Sequence, residues 1–403
     1  MKRKILALAS LLCLSGVLAS CGGTTPSSSV KVGLITLHDE NSTYDKNFID
    51  AFKAAAAAKG VTTVIKTGIP EGNECYEEAA DMADNGCAFV FADSFGHEDY
   101  MIKAAKEFTN VQFAHGTGTK AHTENLSNYH NAFASIYEGR YLAGVAAGLK
   151  LKAMTEANPS TSHVLGYVGA YTYAEVISGY TSYYLGVKSV VSDVTMKVQF
   201  TGSWYDESAE KSAAEALIAA GCSILSQHAD SWGAPTACET AGVPNITYNG
   251  STESNCPNTY VISSRINWQP YFESCFDAVL NKGTIATDYT GTLGTTLYTG
   301  SVVNTTPGAK AAVDGTEAYL NEIHTKLINK EIRVFDTSTF TVGGEQLTSY
   351  MADVNSDAAF EKDTQVIKTD SATGISYFAE SEYRSAPYFD VQIDGIELLN
   401  SKF

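Results

Sequence analysis

The chain has 403 residues, 44% of them hydrophobic and 18% charged, with a formal net charge of −18. This apolar content supports a large buried core, and the length exceeds one ordinary domain, so two lobes are expected. The acidic balance serves solubility and argues against nucleic acid and anionic lipid headgroups as partners.

Lys2, Arg3 and Lys4 form a positive head, Ile5 to Ala19 an apolar run too short to span a bilayer comfortably, and Leu18-Ala19-Ser20-Cys21 a small-residue cleavage site. Together they read as a secretory signal peptide over residues 1–20. The Leu-Ala-Ser-Cys ending also resembles the bacterial lipobox. Cys21 is then the expected lipidation site, holding the protein to the extracytoplasmic face of the cell membrane, and residues 21–29, rich in Gly, Thr, Pro and Ser, form a tether. Loss of the signal removes three positive charges and takes the net charge to −21.

From Val30 onward, β-branched or aromatic runs alternate with Ala-rich stretches of helical period, the pattern of βα units around a parallel sheet. The first series predicts strands at Val30–Leu37, Val61–Lys66, Ala88–Ala92 and Val111–Ala114, with helices at Asn47–Lys59, Glu74–Asn85 and Glu98–Phe108 between them. A second series predicts strands at His163–Val168, Lys197–Gly202, Ser223–Ser226 and Asn245–Tyr248, with helices near Ala174–Gly186, Glu207–Ala220 and Gly233–Ala241. Asn128–Phe133, Tyr260–Ile266 and a segment near Leu297–Asn304 are the expected crossings between lobes. The tail from Thr348 has weak periodicity and is expected to pack on a lobe.

In such sheets ligands sit beyond the carboxyl ends of the strands, at the switch point, so the strand-end loops carry the candidate site. His38 to Phe48 is a polar loop running into a helix, with Phe48 as a candidate ring-stacking side chain or a core residue. His115-Gly116-Thr117-Gly118 offers a titratable ring and backbone open to close approach. Ser203-Trp204-Tyr205-Asp206 puts a Trp at a strand end, where an aromatic facing a cleft suits a flat heteroaromatic ligand. Gln227 to Trp232 and Tyr248-Asn249 supply polar groups for ribose hydroxyls or base-edge nitrogens.

Enzyme signals are weak. His228, Asp230 and Ser231 lie too close on one extended segment to form a triad, and no Gly-x-Ser-x-Gly elbow occurs. No Cys-x-x-Cys or His-x-x-His spacing points to a metal, and no cofactor is expected. Cys75, Cys87, Cys222, Cys238, Cys256 and Cys275 form an even set in an oxidising compartment. Near-neighbour bridges of Cys75 with Cys87 and Cys256 with Cys275 are the first expectation, buried thiols the alternative.

The stretches Ile136-Tyr137-Glu138-Gly139-Arg140-Tyr141-Leu142-Ala143-Gly144, Gly166-Tyr167-Val168-Gly169, Ser203-Trp204-Tyr205-Asp206, Gln227-His228-Ala229-Asp230-Ser231 and Asn267-Trp268-Gln269-Pro270-Tyr271, in this order, resemble the basic membrane protein family of purine-binding lipoproteins. The resemblance implies an α/β type I periplasmic-binding-protein fold, two doubly wound parallel-sheet lobes joined by crossover hinge strands. It divides the chain into a first lobe of residues 30–133 with 262–304, a second of 134–261 with 305–345, and an extension over 346–403. It implies a purine sandwiched between Phe48 and Trp204, with Asp39 as an acidic contact. The family's Asn after the first aromatic is Ile49 here, its acidic residue after the fourth strand is replaced around His115 to Thr117, and its second-lobe Asp is Asn249. The candidate ligand set from the first lobe is Asp39, Tyr44, Asn47, Phe48, His115 and Gly116. The second lobe and the crossing add Tyr173, Trp204, Asp230, Ser231, Asn249 and Trp268. The implied function is that of a monomeric solute-binding lipoprotein of an ABC importer, taking a purine nucleoside or base such as adenosine, guanosine or adenine to a membrane permease without chemistry. A nucleoside hydrolase, or a binder or sensor of another small molecule such as a sugar, is the alternative.

Overall fold

A computed structural model describes residues 30–355 and 361–402; the signal segment, Cys21 and the tether lie outside the described residues. The first lobe runs β1 (Lys31–Ile35), α1 (Thr43–Lys59), β2 (Thr62–Lys66), α2 (Asn73–Asp84), β3 (Cys87–Ala92), α3 (Glu98–Glu107), β4 (Gln112–Gly116), α4 (Ala121–Glu124) and β5 (Tyr129–Ala134). The second runs α5 (Ile136–Ala157), β6 (Val164–Gly169), α6 (Ala174–Lys188), β7 (Thr195–Phe200), α7 (Glu207–Ala219), β8 (Ile224–His228), α8 (Gly233–Ala241), β9 (Asn245–Tyr248) and β10 (Tyr260–Ile266). The chain then returns to the first lobe for α9 (Gln269–Asn281) and β11 (Asp288–Gly291), and back to the second for β12 (Val302–Asn304) and α10 (Thr316–Ile328).

Both sheets are doubly wound. The first has the order β11-β5-β4-β3-β1-β2, all parallel, and the second β12-β10-β9-β8-β6-β7, parallel except for the edge strand β12. Strand order reverses between β1 and β3 in one lobe and between β6 and β8 in the other, so the two switch points define where a ligand enters. The crossings fall at Ala134–Ile136, Ile266–Gln269 and Gly291–Val302. This corrects the expected lobe boundaries: Ile262–Ile266 and Val302–Asn304 belong to the second sheet, and only the stretch carrying α9 and β11 returns to the first.

Local chemistry explains the elements that matter for the site. Ser42 caps α1 by accepting from the Asp45 N–H, and Gly60 ends the helix at φ 69°. Asp206 caps α7 by accepting from the Ala209 N–H. Helices α5 and α6 cross at Gly144 and Gly186, where a Cβ on either would stand 2.1 Å from a carbonyl oxygen of the other helix. The tail packs on the second lobe. Phe378, Phe389, Val391 and Ile393 enter its core, and the strand Ile396–Leu398 pairs parallel with β7 at the sheet edge. Among the described residues no helix is long and apolar enough to cross a membrane.

The expected disulfides do not form: all six described cysteines are buried free thiols. Cys75 on α2 turns toward the His97 carbonyl, and Cys275 on α9 sits in the first-lobe aromatic core, each packed as a small apolar group.

Candidate functional site

The carboxyl ends of the strands meet across a narrow slot between the lobes. Leu37, His38, Tyr44 and Asp45 line it from the β1–α1 segment, with Ser94, Phe95 and Thr117 from the ends of β3 and β4. The second lobe contributes Glu175, Trp204, His228, Asp230 and Tyr248. The slot is shut to about 20 Å³, room for about one water. Contacts hold the lobes together around it: the Thr43 N–H and hydroxyl donate to the Asp230 carbonyl at 2.9 and 3.3 Å, the His38 and Tyr205 rings lie 5.4 Å apart, and Phe95 stacks on Tyr173 at 4.9 Å.

Each wall is built from below. Tyr44 stands in the first turn of α1, and its hydroxyl donates to the Asp93 carbonyl at 2.8 Å. Asp45, next in the chain, accepts from the His38 N–H at 2.7 Å and from the Ser42 hydroxyl at 2.5 Å, fixing the loop after β1. Trp204 leans on Tyr171 and Tyr173, with ring centroids 5.0 and 5.9 Å away. Its carbonyl accepts from the Asp230 N–H, which ties the β7 and β8 loops together. Beneath Tyr248, the fully buried Arg140 donates to the Tyr167 hydroxyl at 2.7 Å and the Ser226 hydroxyl at 3.1 Å, its guanidinium 4.8 Å from the Tyr248 ring.

Burial is the main electrostatic fact of the site. It pushes the Asp93 carboxyl well above the usual range, with the Asp45 charge adding to the effect. Asp230 is lifted for the same first reason, then by Asp45, Glu210 and Glu175. Burial lowers His228, whose Nε2 lies 3.4 Å from Glu175. The slot sets carboxyl groups between aromatic faces, and burial favours the protonated form of Asp230, which donates as well as accepts, an arrangement suited to a flat ligand bearing ring and exocyclic hydrogen-bonding groups.

Of the residues singled out from sequence, Tyr44, Trp204 and Asp230 line the slot, and Tyr173 stands at its mouth against Phe95. The others are placed elsewhere. Phe48 is fully buried in its own lobe, stacked at 4.4 Å on Trp268, itself a core residue at 1% exposure. Asn47 faces the crossing, donating to the Ile266 carbonyl and accepting from Arg265. Asp39 is exposed and caps a turn by accepting from the Asn41 N–H. Alternation along β4 turns His115 to the α2–α3 face with Phe113, where its Nε2 lies 2.6 Å from the Ser94 carbonyl. Gly116 is wedged against Phe91 and Phe48. Ser231, just ahead of α8, accepts from the Gly233 N–H, while its own N–H donates to Glu210. Asn249, at φ 66°, lines a separate groove with Asn47. Asp45, Glu175, His228, Tyr248 and Arg140 were missing from the predicted set. All but Glu175 and Arg140 stand within quoted strand-end or helix-start loops.

The family described as PnrA-like ABC transporter substrate-binding proteins, Bmp, matches residues 34–338. The chain belongs to the Bmp family. A purine-binding protein of Brucella abortus (strain 2308) is 32% identical to this Bmp protein over 263 residues, 64% of this chain and 71% of that one. A protein of Haloferax volcanii, named provisionally as an ABC transporter glucose-binding protein, is 31% identical over 223 residues, 53% of this chain and 54% of that one. Among solved structures, a solute-binding protein of an ABC transporter system from Conexibacter woesei superposes with a TM-score of 0.61 at 19% identity, covering 76% of this chain and 98% of that one. The type I periplasmic-binding-protein fold is thus shared, and the Bmp protein is an ABC transporter substrate-binding protein.

Proposed function

We propose that this Bmp protein captures a purine nucleoside or purine base between its lobes and presents it, unchanged, to an ABC permease, while a lipid on Cys21 holds it at the extracytoplasmic face of the membrane. The observation that carries the ligand class is the slot itself, with Tyr44 from one lobe and Trp204 from the other lining one space together with buried Asp230 and Asp45. A heteroaromatic ring gains ~1–3 kcal/mol from each aromatic face it stacks on. Its ring and exocyclic nitrogens, or ribose hydroxyls, supply hydrogen-bonding partners for these carboxyl groups. Because the slot is shut, the lobes part to admit the ring and close again over it.

The test is mass spectrometry of solute released from the purified protein, followed by calorimetric titration with adenosine, guanosine, adenine and glucose. Tight binding of a purine, weakened about tenfold or more by Trp204→Ala, is the expected result. Retention of a sugar and no purine affinity would favour the second reading, which the name of the Haloferax relative supports. Catalytic appearance of free base from adenosine would replace capture with hydrolysis.

A further inference from the structure

The described tail beyond the family match, residues 339–355 and 361–402, rides on the second lobe, yet it also reaches the first. The buried Ser385 donates its N–H at 2.8 Å to Asp288 on β11, three residues before the crossing at Gly291, and Asp288 lies 3.4 Å from His122 of the first lobe. The Thr123 hydroxyl of α4, next in the chain to His122, donates at 2.5 Å to the Asn355 carbonyl. Beside Ser385, Arg384, Ala386 and Pro387 wall a cavity of about 350 Å³ that shares Phe95, Thr117 and Glu175 with the slot and takes its opposite side from Glu98, Asp99 and Lys120 of the first lobe.

We infer that the tail is a fourth, non-covalent tie between the lobes, anchored on the second and holding the first at Asp288 and Thr123, which limits how far the clamshell opens. Three covalent crossings already pass between the lobes, and they leave rotation about the hinge free. Polar contacts from the second-lobe tail to Asp288 and Thr123 of the first lobe resist that rotation, because opening has to stretch or break them. Ser385, Ala386 and Tyr388 are buried at 3% exposure or less, so this part of the tail is enclosed rather than lying loosely over the surface. A tie that raises the closed fraction in the absence of solute strengthens apparent affinity by that fraction.

This inference rests on the clamshell motion of the proposed function but not on the identity of the ligand, so its test uses none. The native cysteines among the described residues are buried, which lets dyes be placed selectively on Lys53→Cys in α1 and Lys211→Cys in α7, both exposed and on opposite lobes. Single-molecule energy transfer in the ligand-free protein then reports the interlobe distance. Thr123→Val removes one exposed hydroxyl donor, and Asp288→Ala the buried acceptor. A rise of about threefold in the open population in either variant, with the far-ultraviolet spectrum unchanged, is expected for the loss of a single hydrogen bond. An unchanged distance distribution in both variants overturns the tie, and leaves the purine reading untouched.

Discussion

The two aromatic walls of the slot come from different kinds of scaffold. Trp204 sits on a loop just past the end of β7, where side chains of a doubly wound sheet point into the cleft. The first-lobe wall stands on a helix, where Tyr44 and Phe48 lie four residues apart and therefore on one face, in edge contact at 4.9 Å. One turn of α1 separates a ring open to the slot from a ring sealed in the core. A strand-end loop thus displays its residue by position alone, whereas a helix that dives from cleft to core shares one stripe between both duties, and only depth tells them apart.

The strongest way to break this contrast is to truncate both rings of the helix. Phe48→Ala opens a cavity among Phe91, Trp268 and Gly116 and is expected to cost about 3–5 kcal/mol of stability by denaturant unfolding. Tyr44→Ala is expected to weaken solute binding about tenfold in calorimetry, while its melting temperature moves far less, since the side chain is only half-buried and loses one hydrogen bond to Asp93. If Phe48→Ala instead spared the fold and abolished affinity, the assignment of the two rings would be reversed.

Much of the architecture was legible because it follows from pattern. The strands of both lobes, β10 (Tyr260–Ile266) among them, and the cleft position of Trp204 and Asp230 come from alternation, breakers and the switch-point rule. Helix α5 left no stripe to read, since residues on most of its faces, from Ile136 and Arg140 to Ala147 and Leu151, are buried. Side-chain direction at β4 was equally hidden. His115 sits at a strand end, yet the pleat sends it away from the cleft, and Thr117, held at φ 66°, lines the slot instead. Arg140 serves the site from beneath, through Tyr248, a contact between residues 108 positions apart that no local pattern encodes.

A smaller effect sharpens the electrostatic side of the second wall. Because burial raises the Asp230 carboxyl in the folded protein, the folded chain binds this proton more tightly than the unfolded one, whose aspartates titrate near ~3.9. Stability from this group is therefore full at low pH and is lost as pH rises through the elevated folded-state value. Asp230→Asn removes that loss. Its melting temperature is expected to exceed the parent's by about 2 °C or more at pH 8, with the gap closing as the buffer is acidified. Solute affinity should fall in the same variant, because an acceptor oxygen of the slot becomes a donor amide. A stability gap independent of pH would mean that Asp230 is not a buried ionising group.

The smallest expected effect concerns Asp39, the acidic contact that the family resemblance implied. In the loop from His38 to Ser42, His38 lines the slot and the buried Ser42 holds Asp45, while Asp39, Glu40 and Asn41 are exposed. Asp39 is exposed and occupied with the Asn41 N–H, whereas Asp45, six residues on, turns inward to line the slot. The carboxylate that serves the cleft thus comes from the first turn of the helix, the same turn that supplies Tyr44. Asp39→Ala is expected to leave solute affinity within about twofold of the parent, the scale of one exposed turn hydrogen bond. Asp45→Ala, which also removes the acceptor for the His38 N–H and the Ser42 hydroxyl, should reduce affinity by at least as much as Tyr44→Ala. Parallel titrations of the two aspartate variants decide the matter, for a larger loss at Asp39 would put the ligand's acidic contact in the outer loop and move the binding site away from the slot.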